Sequence, residues 1–238
     1  MWLLVFLLCF LSTGAIAQPD YIPPKAFLYK DQIKTELNTY FPDIPDMNYI
    51  PALIEHESCI SLTHSRCWSP TSRLKSAREE GAGLPQITRA YNKDGSLRFD
   101  TLSDMKNKYK TELKEASWAT IYQKPNVQIR VMILLTRDNY KKLYMVKNDM
   151  YRLHMTDPAY NGGVTSVQKQ RRACGLVKGC DPGIWFNNVE NFCTKSKKPL
   201  YAGRSAYDIF LGHPRDVFGH RLPKYRAHYF TGETRAKK

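Results

Sequence analysis

From Ala26 to Tyr40 apolar side chains recur at Phe27, Leu28, Ile33, Leu37 and Tyr40, near the spacing of one helical face, and predict a first helix ended by Pro42 and Pro45. Asn48, with Pro51 just inside the next apolar stretch, marks the start of a second helix. Between Arg66 and Arg98 the periodicity is lost. Ser, Gly, Pro and charged residues dominate there, Gly81, Gly83 and Pro85 cluster, and Asp94-Gly95 is a turn signal, so loop with at most a short hairpin is expected. Helical spacing returns from Leu102. Val127, Val131, Leu134, Leu135, Leu143, Val146, Met150 and Leu153 recur at threes and fours with a skip, which predicts two consecutive helices, opened by Asn126 and closed at Asp157-Pro158. Gly162-Gly163 makes a turn and Val164 to Arg172 restarts a helix. A Gly/Pro/Asn-rich excursion then runs from Cys174 to about Tyr201, before a last apolar-periodic piece through Ile209, Phe210 and Val217. The expected fold is mainly α with a small loop or hairpin region.

With 238 residues, 42% of them hydrophobic and 12% aromatic, the chain is sized for one large domain, at roughly 100–200 residues per domain. The pattern at its start is different in kind. Trp2 to Leu11 is an unbroken apolar run followed by Ser12, Thr13, Gly14 and Ala15-Ile16-Ala17. The run is too short for the ~20 residues that span a bilayer, and Ala15 and Ala17 supply small residues at a cleavage site, so residues 1–17 read as an export signal, although no Lys or Arg precedes the run. Retention as an anchor is the alternative. Export to the periplasm or beyond would let Cys59, Cys67, Cys174, Cys180 and Cys193 pair in an oxidising compartment. Five is odd, so one stays free; Cys59 with Cys67 closes a short loop, and two of the last three could staple the C-terminal region. No C-x-x-C or H-x-x-x-H spacing points to a metal site, and no cofactor is expected.

Lys and Arg number 36 against 22 Asp and Glu, a net charge of +14. That excess excludes an acidic disordered chain and draws the protein to polyanions such as wall or outer-membrane polymers. Lys141-Lys142 and Lys195, Lys197 and Lys198 are local foci, but the cations are scattered, and nucleic acid is not an expected partner.

One short string carries chemistry. In Ala52-Leu53-Ile54-Glu55-His56-Glu57-Ser58, Glu57 follows Ile54 and Leu53 by three and four residues and so faces the apolar stripe of its helix, whereas Glu55 points elsewhere. A carboxyl group pressed against apolar surroundings loses hydration and is expected to hold its proton to higher pH, as a general acid must. The competing reading of that spacing is a Glu paired with one of the many cations.

Ala52-Leu53 with Glu57-Ser58, then Gly81-Ala82-Gly83-Leu84-Pro85-Gln86-Ile87, then Ala159-Tyr160-Asn161-Gly162-Gly163, together and in this order, resemble the lytic transglycosylases, most of all phage endolysins and virion-associated members. The resemblance covers residues 52–163, about half of the chain that follows residue 17. It implies a lysozyme-like (α+β) catalytic domain over residues 18–238, with a motif core at 48–165 and a helical, disulfide-containing part at 166–238. It also implies cleavage of peptidoglycan glycan strands between N-acetylmuramic acid and N-acetylglucosamine, by a monomer and in phage-driven host lysis, with Glu57 as sole acid and base. Gln86 would line the glycan cleft, Tyr160 would pack or bond near the glutamate, Asn161 would mainly hold its turn, and Ser58 matches the serine after the glutamate. The pattern departs from the family at Arg78, where a serine is usual, and at Pro85, in a turn shorter by one residue. Near the C-terminus the resemblance puts His213 where a glutamate-binding tyrosine is common, with Tyr225 or Tyr229 as substitutes; His213-Pro214 could equally be a surface turn. Two other functions remain open: a goose-type-like muramidase using Glu79 or Glu80 as second acid, and a cationic wall-binding protein that does not cut.

Overall fold

A computed structural model describes residues 20–232; the expected export signal at 1–17 lies outside them. The fold is mixed α+β and mainly helical, with a small antiparallel sheet.

Helix α1 (Pro24–Phe27) and helix α2 (Lys30–Tyr40) replace the single first helix expected, because the chain turns at Leu28 and Tyr29. Helix α3 (Tyr49–Ser58) begins after Asn48 as the pattern indicates. Eight of its ten residues are buried, leaving only His56 and Glu57 partly open. An almost wholly buried helix is a central one, and its single window is where the candidate acid sits.

Residues 73–100, in the stretch expected as loop and a short hairpin, extend that hairpin to a four-stranded meander: β1 (Arg73–Lys75), β2 (Glu79–Ala82), β3 (Ile87–Tyr91) and β4 (Leu97–Asp100), each antiparallel to the next. The pattern misled because the strands are short and charged. Beside the buried Ala82, Ile87 and Ala90, Glu80 ties the strands together: buried, it accepts from Arg73 on β1, Arg89 on β3 and Tyr122, so charge pairing adds to the apolar contacts. Those partners keep its carboxyl below the usual range despite the opposing effect of burial. Between β2 and β3 the chain turns at Gly83, whose φ of +69° suits glycine. A Cβ there would come within 2.2 Å of the Gln128 side chain. Gln128 is buried and ties this turn down, accepting from Leu84 N while donating to the carbonyls of Pro70 and Ile121.

Helix α4 (Thr101–Lys108) follows, capped by Asp100, and then α5 (Pro125–Lys142) and α6 (Asp149–Gly162) confirm two consecutive helices. Their ends differ from the pattern. Pro125 opens α5 at a position where a missing N–H costs nothing, and α6 runs through Asp157-Pro158 to turn at Gly163, φ +84°. The continuation keeps Asp157 fully buried inside a helix. Helix α7 (Val164–Gly175) comes next. The excursion after it is less irregular than its composition suggests, since it holds a 3-10 turn at Val189–Phe192 and a hairpin of β5 (Pro199–Tyr201) with β6 (Arg204–Ser205). Helix α8 (Ala206–Asp216) starts on a reciprocal cap between Ser205 and Asp208. A π-helical turn at Val217–Arg221 leads into α9 (Leu222–His228).

The core divides into three neighbouring clusters. One gathers α2, α3 and α9 around Leu37, Leu53 and Tyr225; a second joins the sheet to α4 and α5 around Ile87 and Val131; a third packs α6, α7 and α8 around Ala159, Val167 and Phe210. Glu57, Asp157 and His213 come from helices of the first and third, so they meet at a junction.

Cys59 pairs with Cys67 and Cys174 with Cys180, while Cys193 is free among the described residues. Two disulfides fit an oxidising, exported environment. The first bridge fastens the chain just after α3. Cys67→Ser is expected to lower stability by about 2–3 kcal/mol, the chain-entropy value for so short a loop, read as a shift of the urea midpoint under oxidising conditions; an unchanged midpoint would show that the bridge does not hold the end of α3.

Candidate active site

The Glu57 side chain is 16% exposed, and its Oε1 lies 3.0 Å from His213 Nε2. His213, buried in the last turn of α8, is no surface turn. Its other nitrogen, Nδ1, is 2.6 Å from Asp157 Oδ1, and the second oxygen of that carboxylate accepts from the Tyr49 hydroxyl at 3.1 Å. The result is a chain of groups running Tyr49–Asp157–His213–Glu57 from the interior to the window of α3. Burial alone would push the His213 imidazole down, but Asp157 foremost, and then Glu57, overcome it and hold the ring up at about 10. At neutral pH the ring is therefore an imidazolium, donating through Nδ1 to Asp157 and through Nε2 to Glu57.

The surroundings of Glu57 are thus not the purely apolar wall that the helical spacing suggests. The spacing places the side chain on the face of Leu53 and Ile54 but carries no information about α8, 156 residues away, which brings the imidazole.

A second imidazole–carboxylate couple lies against the first. His56 stands 4.1 Å from the His213 ring, centroid to centroid, and its Nδ1 bonds Asp216, which also accepts from Arg221. Burial opposes ionisation of Asp216, yet His56 and Arg221 hold its carboxyl well below the usual range. Tyr160 completes the cluster. Burial, with the nearby charges of Glu57 and Asp157, raises its phenol well above the ordinary value, and the hydroxyl donates to Pro85 O at 2.8 Å. That bond fastens α6 to the β2–β3 turn.

The remaining expected residues fare differently. Ser58 is buried and donates to Ile54 O while accepting from Trp68 N, so it closes α3 and faces no cleft. Gln86, at φ +45°, turns its amide nitrogen onto Gly83 O at 2.7 Å and so braces its own loop. Asn161 is exposed in the last turn of α6. Tyr225 donates to Glu55, and Tyr229 to Ala26 O; neither bonds Glu57. Of the acids considered as a second catalytic group, Glu80 is held between Arg73 and Arg89.

Pattern reading missed Asp157, Tyr49, His56 and Asp216. Asp157 looked like a helix stop because Pro follows it. The available signal was Asp157-Pro158 lying within a turn of the A-Y-N-G-G string, but no local rule pairs it with His213.

Glu57 lines neither of two concavities that stand out. One, of about 650 Å³, is lined by His154, Phe186, Arg215, Phe218, Gly219 and His220, and borders the site through Phe218, which stacks on Tyr49. The other lies between Tyr21–Lys25 and the Cys59–Cys67 loop. No model of a known protein family matches the chain, and no curated protein matches it.

The imidazolium also links pH to stability. The folded-state value of about 10 lies above the ordinary imidazole value of 6.5, so its contribution is fully present below about pH 6.5 and is lost as pH rises through about 10. His213→Gln is expected to flatten the fall in Tm between pH 7 and 10 relative to wild type; parallel curves would mean that the ring is neutral in the folded protein.

Proposed function

We propose that this protein cleaves the glycan strand of peptidoglycan as a lytic transglycosylase, with a lysozyme-like catalytic domain and Glu57 as its acid and base. The observation that carries the reading is the hydrogen-bonded chain from Asp157 through His213 to Glu57, which ends at the one open window of a buried helix. The order of the three sequence motifs supports it, since Tyr160 and the turn of Gly83 and Pro85 converge on the same junction.

In this reading His213 donates to Oε1 and leaves Oε2 to carry the acidic proton. Glu57 gives that proton to the glycosidic oxygen as its bond to the anomeric carbon of N-acetylmuramic acid breaks, with the 2-acetamido oxygen of the same sugar assisting. The imidazolium stabilises the carboxylate left behind, a fixed charge aimed at charge that develops in the step. The carboxylate then takes the proton of the 6-hydroxyl, whose oxygen closes on the anomeric carbon to form the 1,6-anhydro ring. Glu57 is protonated again and no water is consumed. Hydrolysis with Glu80 as second acid is disfavoured by the two arginines that hold it. The oxidised cysteines agree with work outside the cytoplasm, as phage-driven lysis through an export signal would require.

Mass analysis of sugars released from purified peptidoglycan tests this. The expected product is one water lighter than the hydrolytic one. A free reducing end would turn the reading to a muramidase, and no release at all would end both.

A further inference from the structure

A separate surface, formed where the α5–α6 turn meets α7, combines exposed apolar side chains with exposed cations. Residues 139–148 contain three lysines and no acid, and residues 164–180 contain four Lys or Arg and no acid. Within the first stretch Tyr144 is 63% exposed and Met145 58%; within the second Leu176 is 88% exposed and Val177 50%. These are large apolar groups standing in water on rigid supports. Leu143 and Val146, either side of the first pair, are buried in the same cluster as Val167 and Cys174 of α7, and Gln168 Nε2 donates to Lys142 O at 3.2 Å. The second pair sits on a tip closed by the Cys174–Cys180 bridge. Both pairs are therefore anchored to one core.

The cations surround them. Lys169, Arg172 and Leu176 follow one another at three and four residues on the outer side of α7, Arg172 is one turn beyond Gln168, and Lys178 is on the tip. Lys141, Lys142 and Lys147 flank Tyr144 and Met145. The six cations, like Tyr144, Met145 and Leu176, are exposed, and none of the six makes an ion pair among the described residues. The bordering acids are already engaged: Asp138 by Lys108 and Tyr109, Asp149 by Tyr140 and Arg152, and Asp181 by the backbone of Gly183.

We propose that this face docks on an anionic lipid bilayer, with Tyr144, Met145, Leu176 and Val177 entering the headgroup region and the six cations lying against lipid phosphates. The charge is complementary to such a surface, and the combination selects it over a soluble polyanion: a polyanion is satisfied by Lys and Arg alone, whereas apolar groups exposed among cations gain only where an apolar phase lies beneath the charged one. Long Lys and Arg stems can keep their heads at the interface while the apolar groups sink below it. The inference is independent of the proposed glycan chemistry, since neither the surface nor its test involves Glu57.

Co-sedimentation of the full, oxidised chain with vesicles of phosphatidylcholine alone or with 30% phosphatidylglycerol tests it, always as the difference between variants that share the same first seventeen residues. The wild type is expected to partition to the anionic vesicles. The combined substitution Tyr144→Ser, Met145→Ser, Leu176→Ser and Val177→Ser is expected to weaken that partition about tenfold or more, while Leu74→Ser with Leu97→Ser on the sheet leaves it unchanged. Far-UV circular dichroism and Tm check that these surface variants remain folded. Leu176→Trp in the otherwise native chain is expected to shift its emission to the blue on anionic vesicles only. Equal binding by wild type and the four-site variant overturns the proposal, and so does a tryptophan emission that ignores vesicles. Loss of binding only when the six cations are changed to Gln, with inorganic polyphosphate competing as well as lipid, would assign the face to a soluble polyanion and overturn it too.

Discussion

Glu57→Gln is expected to abolish release of anhydro sugars from peptidoglycan, lowering the rate by at least about a thousandfold, while Tm changes little. General acid–base groups are commonly worth about 10²–10⁴, and here one carboxyl serves both proton transfers, so the upper part of that range applies. The amide still accepts from His213 through its oxygen, and the side chain is partly open, which leaves the packing of α3 intact. Comparing soluble product by mass spectrometry and Tm by calorimetry on the same samples decides it. Equal product from wild type and variant would remove Glu57 from the chemistry.

The opposite pattern is expected two residues earlier. Glu55 is fully buried, and its carboxylate accepts from Arg221 at 2.8 Å and Tyr225 at 2.8 Å, with Lys224 Nζ 2.7 Å away and itself almost inaccessible. Glu55→Gln leaves Lys224 and Arg221 facing a neutral group in the interior. Breaking a buried pair costs about 3–5 kcal/mol, and at roughly 2–4 °C per kcal/mol for a chain of this size Tm should fall by at least about 6 °C. Arg221 keeps Asp216, which limits the loss to the lower part of that range. A change below about 2 °C would show that the cluster contributes specificity of packing and not stability. The two substitutions also control for each other, since one should remove activity at constant Tm and the other should move Tm.

The contrast between these glutamates shows how far pattern reading reaches. Helical spacing puts Glu57 on the side of Leu53 and Ile54 and turns Glu55 away, yet in the structure Glu55 is fully buried and Glu57 stands at the open window. It does not foresee that Glu55 is the more buried, because α9 and the π-helical turn cover that side of α3 and no local periodicity encodes them. The sheet escaped for a related reason. Its strands are three to five residues long, and one of the buried members that hold them is Glu80, a residue that pattern rules count as exposed. Ser58 and Gln86 follow the same logic, since their hydrogen-bonding capacity goes to Ile54 and Gly83, partners set by the path of the chain and not by residue type.

By itself the chain's order of residues determined the start of α3 after Asn48, the split between α5 and α6, the turn at Gly163 and the short separation of Cys59 from Cys67, because each depends on neighbours within a few residues. It also put Glu57 one turn beyond Leu53 and Ile54, on their face of the helix. Only the tertiary structure decided what that face meets: Asp157 from α6 and His213 from α8, joined across 56 residues of chain, and Glu57 with His213 across 156. Contacts at such separations arise from the packing of whole helices around shared cores, so the electrostatic character of the site belongs to the fold and not to any segment of it.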